Sequence, residues 1–468
     1  MGGHVELTAS SSPIALTAHP LQRVGAYALM VLGDVTDLSE MTNAVFEAAT
    51  SRMAQDVVAA AEDVPGLAAF WLAVSYMLWP NSAVNTTARS KLSVQERRTR
   101  IRAWRSYAAD SLDVPCALCG RPGCGFYGKV DVPLGASISH RNTTAPGHEG
   151  LPLCRACLAC FHALPYGCAL GGGRAVALHS WDEDLLAFFV QVQVRRTRQR
   201  ALMGSLAGRA RIPYAREVAA VQGLRDYEHR VREGVDLYVF SNSNREQVLD
   251  VQSLSQPLAE WLRGVIRNSR QREGLRYLVR AHWTPTIPGT SWLARNAFRD
   301  PARIISRSRA YLGGLAVEAG VPPPETAALA GLCVSFATEV LGVEERDMKQ
   351  IEELGGRIAS LLARQPERGT VKKYEHVHRD SRRLQAWLRR SGVSWLVESG
   401  QKDPFITAEQ WQLLFDPDGR TWLYQDLLLI TVLQALAASG SFAGAADRPD
   451  ARADREDDEL FTEEEAAE

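Results

Sequence analysis

Two short runs decide how this chain must be read: Cys116-Ala117-Leu118-Cys119 and Cys154-Arg155-Ala156-Cys157. Each sets two thiols three residues apart, close enough to share one metal ion. Two such runs supply the four sulfurs of a tetrahedral site, with metal–sulfur distances of about 2.3 Å. Four thiolates leave no open coordination position, so the expected ion is a structural Zn2+. Seven of the eight cysteines fall between Cys116 and Cys168, and only Cys333 is remote. CxxC spacing confined to one segment argues for a metal in a reducing compartment over a disulfide framework. Cys124, Cys160, Cys168, His140 and His148 are further donors nearby, any of which could replace one of the four.

The segment that carries these runs needs such a centre. Ser111 to Gly173 is rich in Gly, Pro and Cys, is broken by turns at Arg121-Pro122-Gly123 and Ala145-Pro146-Gly147, and lacks helical periodicity. On its N-terminal side the apolar stretches Val24 to Leu32 and Leu67 to Leu78 and the Ala-rich Asn43 to Ala61 predict helices. A turn follows at Trp79-Pro80-Asn81-Ser82, and Thr86 to Arg105 is expected as a helix with a charged face. On the C-terminal side Arg174 to His179 reads as a strand. Ser180-Trp181-Asp182-Glu183 has the form of a capping box, with Leu185, Phe188, Phe189 and Val192 at helical spacing behind it. Val235 to Phe240 and Val248 to Val251 read as strands joined by Ser241-Asn242-Ser243-Asn244. From Pro257 onward the pattern is helical. Ile351, Leu354, Ile358 and Leu361 share one face, and Leu427 to Leu436 is apolar on nearly all sides, as in the central helix of a bundle.

The expected fold is therefore mainly α, with a small mixed α+β middle region, an inserted four-cysteine zinc module and a C-terminal helical bundle. A length of 468 residues exceeds what one core accommodates. The expected domains are 1–110 (helical), 111–173 (zinc-binding insert), 174–343 (mixed α+β and helical, basic), 344–442 (helical bundle) and an acidic tail, 443–468. From Asp447 to Glu468 eleven acidic residues stand against three arginines, a composition expected to be disordered. Removing that tail turns the net charge of −1 into +7 for the rest, a balance that suits a polyanionic partner. No run of eighteen apolar residues and no secretory pattern occurs at the N-terminus, so the expectation is a cytoplasmic protein without a membrane span.

Catalytic readings of the cysteine segment fail on spacing. A zinc nucleotide deaminase needs His-x-Glu and, well downstream, Pro-Cys-x-x-Cys. Here His148 and Glu149 are adjacent, and Pro152-Leu153-Cys154 is one residue too long and too near. An HNH-like nuclease would use His140 as base. Glu149 or Gly150 stands where its asparagine belongs, Leu158 replaces its metal-binding histidine, and His162 comes too late. No P-loop, Gly-x-Ser-x-Gly elbow or His-Glu-x-x-His run is present, and the expectation is a protein without enzymatic activity.

Three basic fields remain. The first is Arg195, Arg196, Arg198 and Arg200 with Arg209, Arg211 and Arg216, and no acid interrupts it. The second is Arg263, Arg267, Arg270, Arg272, Arg276 and Arg280; the third is Lys372, Lys373, Arg379, Arg382, Arg383, Arg389 and Arg390. Solvent-facing arginines so spaced neutralise phosphates; the plain alternative is a solvated helix face with local ion pairs. Trp283, Trp292 and Phe298 interleave with the second field, where aromatic rings either stack on bases or belong to the core.

Four features together resemble the type I-B CRISPR-associated large-subunit family: the Trp79-Pro80-Asn81-Ser82 turn, the paired CxxC knuckles, the run Leu151-Pro152-Leu153-Cys154-Arg155-Ala156-Cys157 through Ala163-Leu164-Pro165-Tyr166-Gly167 into Ala175 to Ser180, and Leu237-Tyr238-Val239-Phe240-Ser241-Asn242. The similarity spans residues 75–255, and Cys124 and Cys160 are extra to the pattern. The resemblance implies a large subunit of Cascade that reads the protospacer-adjacent motif and helps open target DNA, while CRISPR RNA supplies the sequence specificity, by analogy with other RNA-guided effectors. It implies as partners CRISPR RNA, target DNA, other Cascade subunits and a recruited helicase-nuclease or transposition factors. Asn81 and Asn85 become candidate groove contacts. A small subunit made separately from Met348 onward is a further implied partner. An HNH-like nuclease and a stand-alone zinc-ribbon DNA-binding factor are the competing readings.

Overall fold

The computed structural model describes residues 12–135, 150–204, 213–244, 247–364, 368–399 and 403–440. The tail expected to be disordered lies outside them, as do His140, His148, Arg209 and Arg211. The chain forms two units: Met1–Arg211 with Val231–Ser253, and Ile212–Arg230 with Leu254–Glu468. Residues 174–343, expected as one domain, are thus shared between the two.

The first unit holds helices α1 (Pro20–Leu32), α2 (Asn43–Val58), α3 (Leu67–Leu78), α4 (Val94–Trp104), α5 (Arg155–Ala163) and α6 (Glu183–Met203). Its strands are β1 (Leu112–Pro115), β2 (Pro122–Gly123), β3 (Gly125–Tyr127), β4 (Leu151–Leu153), β5 (Ala169–Gly171), β6 (Arg174–Ser180), β7 (Val235–Asn242) and β8 (Gln247–Leu254). The last four form one sheet in the order β5-β6-β7-β8, with β6 antiparallel to β7 from Ala175↔Phe240 to Ser180↔Val235. Helix α1 is the axis of the unit, packing on α5, α6 and β6, and is buried almost all round, from Leu21 to Leu32. It starts on Pro20 at its first position, where a missing N–H costs nothing. At Gly25 it crosses α5 so closely that a Cβ would lie 1.9 Å from the Cys160 carbonyl oxygen.

Two helix starts differ from expectation. The helix expected over Thr86 to Arg105 begins at Val94, because Ser93 and Glu96 close a capping box there, the Ser93 N–H donating to Glu96 Oε2 at 2.8 Å. Two of the basic side chains before and within it, Arg89 and Arg97, turn inward, while Lys91, Arg100 and Arg102 stay exposed. Arg97 forms a two-pronged ion pair with Asp63, and Arg89 Nη2 donates to the Ala60 carbonyl at 2.6 Å. Helix α6 is capped by Asp182, whose Oδ1 accepts from the Leu185 N–H at 3.3 Å. Ser180, expected as the cap, instead donates to the Gly234 carbonyl at 2.8 Å and ties the end of β6 to the start of β7.

The second unit is helical: α7 (Ala215–Asp226), α8 (Gln256–Arg267), α9 (Arg272–His282), α10 (Gly289–Arg299), α11 (Arg303–Ala319), α12 (Thr326–Glu339), α13 (Glu345–Ala363), α14 (Arg368–His378), α15 (Ser381–Ser399), α16 (Ala408–Phe415) and α17 (Thr421–Ser439). Helix α17 is the central one, as its all-round apolar sequence predicts. It packs on α13 and α16 and also on α11 and α12. By length and composition it could cross a bilayer, yet much of its surface is taken up by these neighbours, as in a core helix. Gly355 of α13 lets the two helices close up, since a Cβ there would meet Thr431 Oγ1 at 2.6 Å. The buried stripe of α13 is Met348, Ile351, Leu354, Ile358 and Leu362, with Leu361 only half-buried.

Candidate functional site

The first knuckle is a tight turn after β1. The Gly120 N–H donates to the Cys116 carbonyl at 2.9 Å, and Gly120 takes a φ of +73°, a conformation that a side chain would oppose. The second knuckle is a helix N-terminus. Cys154 is the N-cap of α5, its Sγ accepting from the Cys157 N–H at 3.4 Å. Backbone bonds bring the two together: Ala117 N–H to the Pro152 carbonyl at 2.9 Å, and Cys124 N–H to the Leu153 carbonyl at 2.7 Å. Strand β4 is thereby laid beside the first turn just before α5 begins.

The result is one cluster. The sulfurs of Cys116, Cys119, Cys154 and Cys157 all lie within 4.8 Å of one another, with Cys119 and Cys154 3.5 Å apart and no disulfide formed. A tetrahedral ion with bonds of about 2.3 Å needs sulfurs about 3.8 Å apart, so the four can hold a metal with little movement. Cys116, Cys154 and Cys157 are buried and Cys119 is half-buried. Hydrogen bonds from Cys154 and Cys157 drive the Cys116 thiol down to a thiolate, and the same bonds push Cys154 up to about 12 and Cys157 higher still. Four thiols crowded together ionise jointly only when a cation joins them.

Among the described residues, the spare cysteines stand apart from the cluster. Cys124 contacts the Tyr127 hydroxyl at 3.2 Å, and Cys160 receives the Gln22 amide at 3.5 Å. Burial pushes the thiols of Cys160 and Cys168 up, and neither joins the cluster.

Behind α5 lies a buried polar core that the sequence did not announce. Arg105 is 4% exposed, and its guanidinium packs over the rings of Trp79 and Trp104, themselves edge to face, at 4.2 and 4.1 Å. Cation–π contact of this kind is worth about 2 kcal/mol when desolvated. Beside it, His162 Nδ1 meets the Tyr107 hydroxyl at 3.0 Å, its Nε2 is 3.6 Å from Asp131 Oδ1, and Trp104 Nε1 donates to that same oxygen at 2.7 Å. Burial, reinforced by Arg105, lowers the His162 pKa to about 4.

The two asparagines of the Trp79 turn face opposite ways. Asn81 is exposed with a φ of +64°, and its Oδ1 accepts from Asn244 Nδ2 at 2.9 Å. Asn85 is buried, its amide donating to the Trp79 carbonyl at 3.2 Å, so only Asn81 is presented at the surface. Asn242, at the end of β7, is fully buried and donates to the carbonyls of Leu78 at 2.8 Å and Lys129 at 2.7 Å. It stitches α3, the cysteine segment and the sheet together; a Ser-Asn strand end carries no local signal for such a role.

The basic fields differ in how far they are exposed. In the first, Arg195, Arg196 and Arg198 are exposed, while Arg200 Nη1 donates to the Leu170 carbonyl at 3.3 Å. In the second, Arg263 pairs with Glu260 at 2.7 Å, Arg267 caps the Arg225 carbonyl at 3.0 Å, Arg280 lies over Tyr277, and Arg270 and Arg272 are exposed. Of its aromatics, Trp283 is exposed, Phe298 is buried, and Trp292 has Arg295 and Arg307 over its ring. The third field is the most open. Lys372 and Lys373 on α14, Arg379 just beyond it, and Arg382, Arg383, Arg389 and Arg390 on α15 are all exposed. The Glu375 carboxylate is buried and answers Arg379 at 2.7 Å, and Asp380 accepts from the Arg383 N–H at the start of α15. Set against models of known protein families, curated proteins and solved structures, the chain matches none.

Proposed function

We propose that this protein is a nucleic-acid-binding subunit without catalytic activity, in which a structural Zn2+ held by Cys116, Cys119, Cys154 and Cys157 fastens the Ser111–Gly173 segment to the rest of its unit. The observation that carries the binding half is the α14–α15 face, where among the described residues seven exposed cations meet a single exposed acid, Asp380. A face of that kind neutralises several phosphates, with affinity falling steeply as salt rises. Zn2+ is favoured for the cluster by its donor set: four sulfurs, three of them buried, and no open position for a substrate.

The sequence resemblance gives this reading its setting, a large subunit of a type I CRISPR surveillance complex, with CRISPR RNA and target DNA as partners. Co-expression with the genomic neighbours tests it. The expected product is a ribonucleoprotein containing this chain and RNA of uniform length. A lone protein with metal-dependent nicking activity would reverse the reading in favour of an HNH-like nuclease. Tight DNA binding by the isolated chain would favour a stand-alone zinc-ribbon factor. For the metal, the purified chain is expected to carry one zinc per molecule by elemental analysis. Cys154→Ser should lose it and expose the 111–173 segment to proteolysis, whereas Cys124→Ser should keep it.

A further inference from the structure

The solvent face of α15 is ordered by chemistry along its length. Its first three turns present Arg382, Arg383, Arg389 and Arg390, and α14 adds Lys372 and Lys373 beside them. One turn further on, the same face becomes apolar: Val393, Leu396 and Val397 are 65%, 55% and 78% exposed. Large aliphatic side chains so open, next to cations so poorly matched, call for a covering group that is acidic at one end and apolar at the other. Among the described residues Lys372, Lys373 and Arg390 form no ion pair.

This chain contains such a segment. Glu456-Asp457-Asp458-Glu459 runs directly into Leu460-Phe461, and Glu463-Glu464-Glu465 follows. It departs from the same unit as α14 and α15, beyond the end of α17 at Ser439. The twenty residue steps from Gly440 to Leu460 span up to roughly 66 Å when extended. A unit of this size has a radius of gyration of about 17 Å, so the face is within reach. Tethering sets an effective concentration in the millimolar range, enough for a weak charge-matched contact to be populated.

We propose that the acidic segment 456–465 docks in cis on the α14–α15 face, with Glu456 to Glu459 on the cations and Leu460 and Phe461 on the Val393, Leu396 and Val397 patch. Docked there, it occupies the surface that a polyanion would use and sets a threshold for nucleic-acid binding. The competition rests on the proposed function; the docking does not.

Zero-length carbodiimide cross-linking of the full chain, mapped by peptide mass spectrometry, tests the docking. The expected links join Lys372 or Lys373 to carboxylates of 456–465 and vanish in 1 M NaCl. Links spread evenly over Lys91, Lys129 and Lys349 would overturn it. The competition is read by anisotropy with a 20-nucleotide single-stranded DNA. The full-chain variant E456Q/D457N/D458N/E459Q should bind about tenfold tighter, and adding Arg382→Glu and Arg383→Glu should abolish that gain. An equal gain in that background would mean that the tail acts through net charge alone, which overturns the docking. Specific cross-links with no DNA binding by any form would leave the docking standing and overturn the nucleic-acid reading.

Discussion

At the scale of single residues, three histidines are buried as neutral groups and make stability depend on pH. His162 and His282 are lowered to about 4 and His378 to about 3, in each case chiefly by burial, with Arg105, Arg307 and Arg309 respectively adding repulsion. The unfolded chain takes up a proton at each near pH 6.5, and the folded chain does not. Their contribution is therefore complete above 6.5 and is lost as the pH falls towards 4, at about 1.4 kcal/mol per histidine per pH unit. Urea denaturation at pH 7 and pH 5 should show the second unit, with His282 and His378, losing stability on acidification. His282→Gln should flatten that slope whatever it does to stability at pH 7; an unchanged slope would show that His282 is protonated in the folded state. Burial also explains why residue roles were hard to read. Arginine is almost never fully buried unless paired, yet Arg105 is held by two indole faces, one of them 26 positions away at Trp79. The four cysteines were legible because their meaning lies in local spacing, and Asn242 was not because its meaning lies in Leu78 and Lys129.

Among the elements, helices whose burial is written in unbroken apolar runs, α1, α3 and α17, follow their sequence closely. The misplaced start of α4 had a local signal, Ser93 followed by Glu96, which the basic run around it obscured. That Arg89 and Arg97 turn inward depends on Asp63, 34 residues from Arg97, and no local pattern carries that. Among the described glycines of the unit that holds the four cysteines, Gly25 at the crossing of α1 and α5 has the closest backbone neighbour. Gly25→Ala would drive a methyl group into the Cys160 backbone, which cannot swing aside as a side chain does. The expected effect is a loss of at least about 3 kcal/mol in the first unit. Because α5 supplies Cys154 and Cys157, the same change should raise the rate at which a chelator strips the metal. Stability loss with unaltered metal release would mean that α5 keeps its place independently of α1.

For the whole molecule, the two units bear on whether a product begun at Met348 can stand alone. Met348 lies in the first turn of α13, so such a product loses Asp347, which accepts from the Tyr424 hydroxyl at 2.8 Å, and Arg346, which pairs with Glu409. More seriously, it lacks α11 and α12, which pack on α17. Residues 348–468 expressed alone should therefore bind a hydrophobic dye and associate on size-exclusion chromatography, and should become monodisperse only with a partner that replaces those helices. A monodisperse, dye-silent fragment would show that α17 can be covered from within the fragment. Helix α1 poses a related problem in time. Its groove is completed by α5, which is synthesised more than a hundred residues later. At ordinary ribosomal speeds of about 5–20 residues per second, that leaves an apolar helix waiting roughly 7–27 s for its partner. The nascent chain thus exposes an apolar helix for that interval, and translation tempo between α1 and α5 is expected to affect its yield, as is the stability of the finished protein.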